Sequence, residues 1–161
     1  MSGEKESATI VVFSGDLDRA LAVFNIATAA AAMGMEVNLF FTFWGLNIIT
    51  KEKAKGAKEH PLQKMMGMIN KGGAKHANLS RMNMMGAGTM AMKKLMQDFR
   101  MPPLEDMIKM AKELGVHFIA CTTTMALMGV EEEDLIPEVD EYVGAATYVE
   151  KAAGSTINLF I

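Results

Sequence analysis

The sequence predicts an α/β domain in three layers, α/β/α, around a mainly parallel sheet of about five strands. Three observations predict it. Short runs rich in β-branched and aromatic residues alternate with longer helical segments along most of the chain. The first run, Ala8-Thr9-Ile10-Val11-Val12-Phe13, is nearly all apolar rather than alternating, as expected of a strand covered on both faces. At 161 residues the chain makes one domain, long enough to bury about two-thirds of its unfolded surface.

In chain order, the polar residues 1–7 fray. After the first strand, Ser14-Gly15-Asp16 makes a turn, and Asp16 or Asp18 caps a helix over about residues 17–33. That helix is apolar nearly all round (Ala20, Leu21, Val23, Phe24, Ile26, then an alanine run), which predicts deep burial or a subunit contact. Gly34 ends it and a second strand follows at 36–41. Strand, helix, strand is a βαβ unit, so the pair is parallel with a right-handed crossover. Thr42-Phe43-Trp44-Gly45-Leu46-Asn47 then sits at the carboxyl end of the second strand. Phe43 and Trp44 read either as ordinary packing or as a pocket wall.

Residues 51–101 differ from the rest and carry 10 of the 17 methionines. Leu62, Met65, Met66 and Ile69 fall at helical spacing, as do Met92, Leu95, Met96 and Phe99. The segment 70–88 between them is rich in Gly and Asn without a period, so two amphipathic helices joined by a mobile basic loop are expected. The methionines are open to three readings: core, adaptable docking surface, or thioether ligands for Cu(I). His60 and His76 read as solvated loop residues.

Pro102-Pro103 opens the next helix, where proline is tolerated. Leu104, Met107, Ile108 and Ala111 form its apolar face and Gly115 ends it. A strand runs from Val116 into Cys121, and a threonine cluster opens a short helix that Gly129 closes. Glu131-Glu132-Glu133-Asp134 reads as a solvated turn and cap, or as a partner for the basic segment. A short strand at 139–143, a helix at 145–153 stopped by Gly154, and a final strand at 156–161 complete the pattern.

Composition narrows the functional classes. A single cysteine forms no internal disulfide, which fits a reducing, cytoplasmic setting, and it excludes a multi-cysteine zinc site. No signal peptide is recognised, since the first apolar run breaks at Ser14. The uncharged stretches 20–35 and 37–50 read as a buried helix and strand rather than a membrane span. Net charge is −3, but residues 51–100 hold 11 Lys and Arg against 3 Asp and Glu, so a basic segment is set in an acidic body. That segment lacks an aromatic stacking pattern, which argues against nucleic acid. GxGxxG, GxxxxGK[ST] and GxSxG are all absent. No cofactor or metal site is expected.

Cys121 is the leading candidate. The pattern places it where a strand meets a helix, on the carboxyl edge of a parallel sheet where ligands bind. Backbone N–H groups at the helix start favour the thiolate, and hydroxyls of Thr122, Thr123 and Thr124 are at hand. The alternative is a buried thiol acting as a small hydrophobe. Gly15, Asp16, Phe43, Trp44 and Asn47 are expected to wall a pocket over it.

These residues carry a resemblance. Ser14-Gly15-Asp16-Leu17-Asp18, Gly34-Met35-Glu36-Val37, Phe40-Phe41-Thr42-Phe43-Trp44-Gly45-Leu46-Asn47, Met82-Asn83-Met84-Met85-Gly86, Ala120-Cys121-Thr122, Met128-Gly129 and Asn158-Leu159-Phe160-Ile161 together resemble the DsrE/DsrF-like sulfur-relay family, in its single-chain branch. The resemblance runs nearly end to end. It implies an α/β/α fold, a homo-oligomer, and a cysteine that carries sulfur as a persulfide or thiosulfonate, matched here by Cys121. It also implies TusA-like carriers or rhodanese-type sulfurtransferases as partners. Members often carry a serine three residues after the cysteine; Thr124 stands there and keeps a hydroxyl. The peroxiredoxin label sometimes given to the branch finds no second cysteine here.

The first hypothesis is therefore a sulfur carrier of sulfurtransferase type using Cys121. The alternative is a non-catalytic binding or assembly module that uses the Met-rich insert. A thiol peroxidase with an external reductant is a third.

Overall fold

The structure is a computed structural model, and it describes residues 6–52, 60–69 and 72–161. Three strands of β-branched and aromatic residues form its centre: β1 (Ser7–Val12), β2 (Glu36–Phe41) and β3 (His117–Cys121). With β4 (Glu141–Val143) and β5 (Ile157–Phe160) they make, among the described residues, a five-stranded sheet of order β4-β3-β2-β1-β5. Every neighbouring pair is parallel. The register sets Val12 beside Phe41, Phe41 beside Ala120 and Cys121 beside Val143. The strands therefore end level, and Phe13, Thr42 and Cys121 share one edge.

Alternation along the strands splits the apolar residues between two faces. Ile10, Val12, Leu39, Phe41, Phe118 and Ala120 join the main core, packed under α1 (Leu17–Ala32) and α4 (Leu104–Glu113). Val11, Phe40, Ile119 and Cys121 form a second cluster on the other face. There α6 (Ala145–Ala153) lays Tyr148 on Phe40, ring centroids 4.6 Å apart. The layers are α/β/α, as predicted, but unequal. Helix α6 buries no residue fully, and Phe160 of β5 is 69% exposed.

Helix α1 is enclosed on one side only: Leu17, Ala20, Val23, Phe24 and Ala27 are buried, while Ile26 and Met33 are exposed. The expected burial all round is not met within one chain, because alanine on the outer face adds little apolar area. The uncharged stretches 20–35 and 37–50 resolve into α1, β2 and a 3-10 helix, Phe43–Ile49. Among the described residues, no helix is long and apolar enough to cross a membrane.

The Met-rich insert contains the two expected helices, α2 (Pro61–Ile69) and α3 (Ala87–Asp98). Their stripes do not both face the core. Leu62, Met65 and Met66 are exposed. In α3, Thr89, Met92 and Met96 set the inward line, so Leu95 and Phe99 fall outside it. The expected mobile loop is, over residues 72–88, a chain of short turns tied to the start of α1. Leu17 N–H donates to the Asn78 carbonyl (2.8 Å), and Ser80 donates from N–H and hydroxyl to Asp18 (2.9 and 2.6 Å). Asp18 is thus an anchor rather than a cap. Residues 53–59, 70 and 71 of the predicted insert lie outside the described residues. The acidic run makes a 3-10 turn, Glu132–Asp134, with a capping box from Glu131. It meets the start of the basic segment, where Lys51 donates its N–H to the Asp134 carbonyl and its Nζ to the Glu133 carbonyl, each at 2.8 Å.

Candidate functional site

Strand β3 runs into the seven-residue helix α5 (Thr122–Met128) with no loop between them. Cys121 is both the last strand residue and the helix N-cap, with φ −75° and ψ 109°. An apolar strand followed at once by three threonines dictates this junction, because threonine favours helix starts over helix interiors. The thiol is 4% exposed and packs with Val11, Phe40 and Ile119, with Phe13, Val143 and Tyr148 at the rim.

Polar groups lie near the sulfur from the residue after β2 and from the first turn of α5. Burial pushes the Cys121 thiol up, but the neighbouring donors, the Thr124 hydroxyl and N–H, the Thr42 hydroxyl and the Thr123 N–H, draw it down by more than burial raises it. The net result is a thiol below its ordinary value. Thr124 is itself 3% exposed, and its hydroxyl lies 2.9 Å from that of Thr42. The same Thr124 oxygen accepts the N–H of Phe43 at 3.3 Å. Phe43 adopts φ 45°, an uncommon conformation for a bulky residue, as it passes over this pair.

Of the three expected hydroxyls, then, Thr124 contributes hydroxyl and amide, Thr123 an amide, and Thr122 is exposed. Thr42 was not singled out by sequence reasoning. No local sequence signal marks it: the register between β2 and β3 is what places the residue after β2 beside the residue ending β3. Tyr148, at the rim, was also missed.

The expected pocket wall divides. Phe43 stays on the cysteine's side, its ring 5.3 Å from that of Phe13. Gly15, Asp16, Trp44 and Asn47 instead line a cleft of about 230 Å³ with Ser14, Ile48, Gly73, His76, Ala77 and Asn78, and Cys121 is not part of that lining. The reason is pleating: Cys121 belongs to the face opposite α1, whereas the loop after β1 leads into α1. A Cβ on Gly15 would lie 2.6 Å from the Trp44 carbonyl oxygen, so glycine is what lets the two loops close on each other. His76, expected to be merely solvated, belongs to this cleft. Among the described residues no group of three or more His, Cys, Asp or Glu is placed to hold a metal ion.

The DsrE/DsrF/DrsH-like family model matches residues 4–160. The chain is 42% identical over 161 residues to the uncharacterized protein YrkE of Bacillus subtilis (strain 168), covering all of both. It is 33% identical to the sulfur carrier protein DsrE2 of Allochromatium vinosum, over 98% of this chain and 99% of that one. Protein MTH1491 of Methanobacterium thermoautotrophicum, a solved structure of unknown function, shares the fold, with a TM-score of 0.51 and 13% identity over 98% of each chain.

Proposed function

The chain belongs to the DsrE/DsrF/DrsH-like family, and we propose on that premise that it acts in sulfur relay, with Cys121 as the carrying thiol. The observation that carries this reading is the place of Cys121, where β3 runs straight into α5 beside the hydroxyls of Thr42 and Thr124, neighbours that hold the buried thiol below its ordinary value despite its apolar surroundings. The name of the DsrE2 relative, a sulfur carrier, supports the same class.

In the proposed step the Cys121 thiolate attacks the terminal sulfur of a donor persulfide. A bond forms between Sγ and that sulfur, the donor's S–S bond breaks, and the donor leaves as a thiolate with the electron pair. An acceptor thiolate then repeats the attack on the terminal sulfur now held on Cys121. Thr42 and Thr124 hydroxyls would hold the anionic sulfur at both stages. TusA-like carriers and rhodanese-type proteins are the partner classes we propose, and the chain would work as a homo-oligomer. Because Cys121 is only 4% exposed, a donor reaches its sulfur when neighbouring side chains yield. Intact-mass spectrometry after exposure to polysulfide or thiosulfate tests the reading. The expected product is a sulfur adduct in the native chain and none in Cys121→Ala; an unmodified native chain, or an equally modified variant, overturns it.

A second reading makes the Met-rich insert the working part, as a docking module. The observation in its favour is the exposure of Met82, Met84, Met85, Met90 and Phe99, each at least 74%. Alkylation separates the two: a thiol that reacts rapidly at pH about 6 favours the carrier, and one silent until denaturation favours the module.

A further inference from the structure

The cleft beside the sulfur site is built from groups that the relay step does not use. It lies on the carboxyl edge of the sheet, between the loops that follow β1 and β2, where parallel α/β folds place ligands. Asp16 is its charged group. It occupies the N-cap position of the 16-residue α1 yet makes no capping hydrogen bond. Its Oδ2 instead accepts the Ser14 hydroxyl at 2.8 Å and lies 3.9 Å from Arg19 Nε, and the side chain remains 41% exposed. Trp44 stands in the same lining, 43% exposed. Asn47, Asn78 and His76 add further polar groups.

Two amides at the start of α1 already have partners: the Asp16 N–H donates to the Ser14 hydroxyl (3.1 Å) and the Leu17 N–H to the Asn78 carbonyl (2.8 Å). A carboxylate already stands at that helix end, where the dipole favours negative charge. Asp16 and Trp44 line the same cleft, and an acid and an indole can together recognise an organic cation: the acid pairs with the ammonium, and a ring face attracts it through its quadrupole. The volume of about 230 Å³ falls below the range of drug-sized pockets, which sets the size of the occupant.

We propose that this cleft is a binding site for a small aliphatic ammonium compound, its cationic nitrogen held by Asp16 and Trp44 and its remaining hydrogen bonds made to Asn47 and Asn78. The site is independent of Cys121, so it stands or falls apart from the sulfur-carrier reading. Trp44 is the sole tryptophan of the chain, so its emission reports on the cleft alone. The test titrates the full chain with putrescine while following that emission, with uncharged 1,4-butanediol and anionic succinate as companion probes. A saturable change with putrescine only is expected, retained in Cys121→Ala and weakened about tenfold or more in Asp16→Asn. Asparagine is as good an N-cap as aspartate, so that variant keeps α1 intact. Asn47→Ala, which leaves Asp16 and Trp44 in place, provides a second variant with the same expected direction. Any of three results overturns the proposal: no saturable response to putrescine up to about 10 mM, saturable binding of succinate or butanediol, or full affinity in both Asp16→Asn and Asn47→Ala.

Discussion

Thr42 stands one position beyond β2, level with Cys121, and its hydroxyl reaches both the sulfur and Thr124. Valine at this position keeps the shape and removes the donor. Thr42→Val and Thr124→Val are therefore expected to raise the Cys121 thiol toward its ordinary value and to slow its alkylation at neutral pH several-fold, while serine at either site restores the rate. A pH profile of alkylation checks this; an unchanged profile in both valine variants would remove the hydroxyls from the site. A second residue-scale prediction concerns Asp140. Burial pushes this carboxyl up, but hydrogen bonds from Lys112 Nζ (2.5 Å) and the Phe118 N–H (2.7 Å), with the charges of Lys112 and His117, hold it below its ordinary value. A native carboxyl held low stabilises the fold above the ordinary carboxylate range and loses that contribution as pH falls through the native value. Asp140→Asn should cost about 1–2 kcal/mol at pH 7 and flatten the acid limb of a Tm-against-pH curve. Cys121 was legible in the sequence because a lone thiol ending a strand is a local pattern. Thr42 was not, since its role depends on the register between β2 and β3, which no local window contains.

Among the elements, the 3-10 helix Phe43–Ile49 depends on one close approach. A Cβ on Gly45 would lie 1.9 Å from the Val12 carbonyl oxygen, a backbone atom that cannot step aside. Gly45→Ala is expected to unseat this segment from the end of β1, with a loss of at least about 3 kcal/mol in chemical denaturation. The insert offers the opposite case. Met85 sits at φ 58° and ψ 31° with its side chain fully exposed. Glycine there relieves left-handed strain and loses no packing, so Met85→Gly should stabilise by about 0.5–1 kcal/mol, whereas Met96→Ala, which empties a buried position, should cost about 2–5 kcal/mol. The helices carrying these residues were legible, because Met and Leu recur at helical spacing. Which side of each helix faces in was not, because methionine has no strong preference between core and surface. Nor did composition reveal that a Gly- and Asn-rich stretch would be tied down by Asn78 and Ser80 to the start of α1.

At the scale of the whole molecule, the two sides of the sheet are unequally covered, and that asymmetry bears on the expected self-association. The α1 and α4 side encloses the main core, while the other side buries Val11, Phe40, Ile119 and Cys121 but leaves β5 open. The rings of Phe43, Phe13 and Phe160 run together there at 5.3 and 5.4 Å, with Phe43 and Phe160 exposed at 42% and 69%. Phe13 also edges the Cys121 cluster, so whatever covers this ridge would also shape the approach to the thiol. Beside it, β5 is an edge strand of the sheet formed by the described residues. An apolar ridge next to an open strand edge supports the homo-oligomer proposed above. Phe160→Asp places a charge at the end of that ridge, on a side chain that is 69% exposed in the single chain. Light scattering after size exclusion should then give a lower mass for the variant than for the native protein, with thermal stability of the chain itself little changed. Equal masses would move the self-association, if any, to another face, and would leave the cysteine's approach to be governed within one chain by Phe13, Val143 and Tyr148.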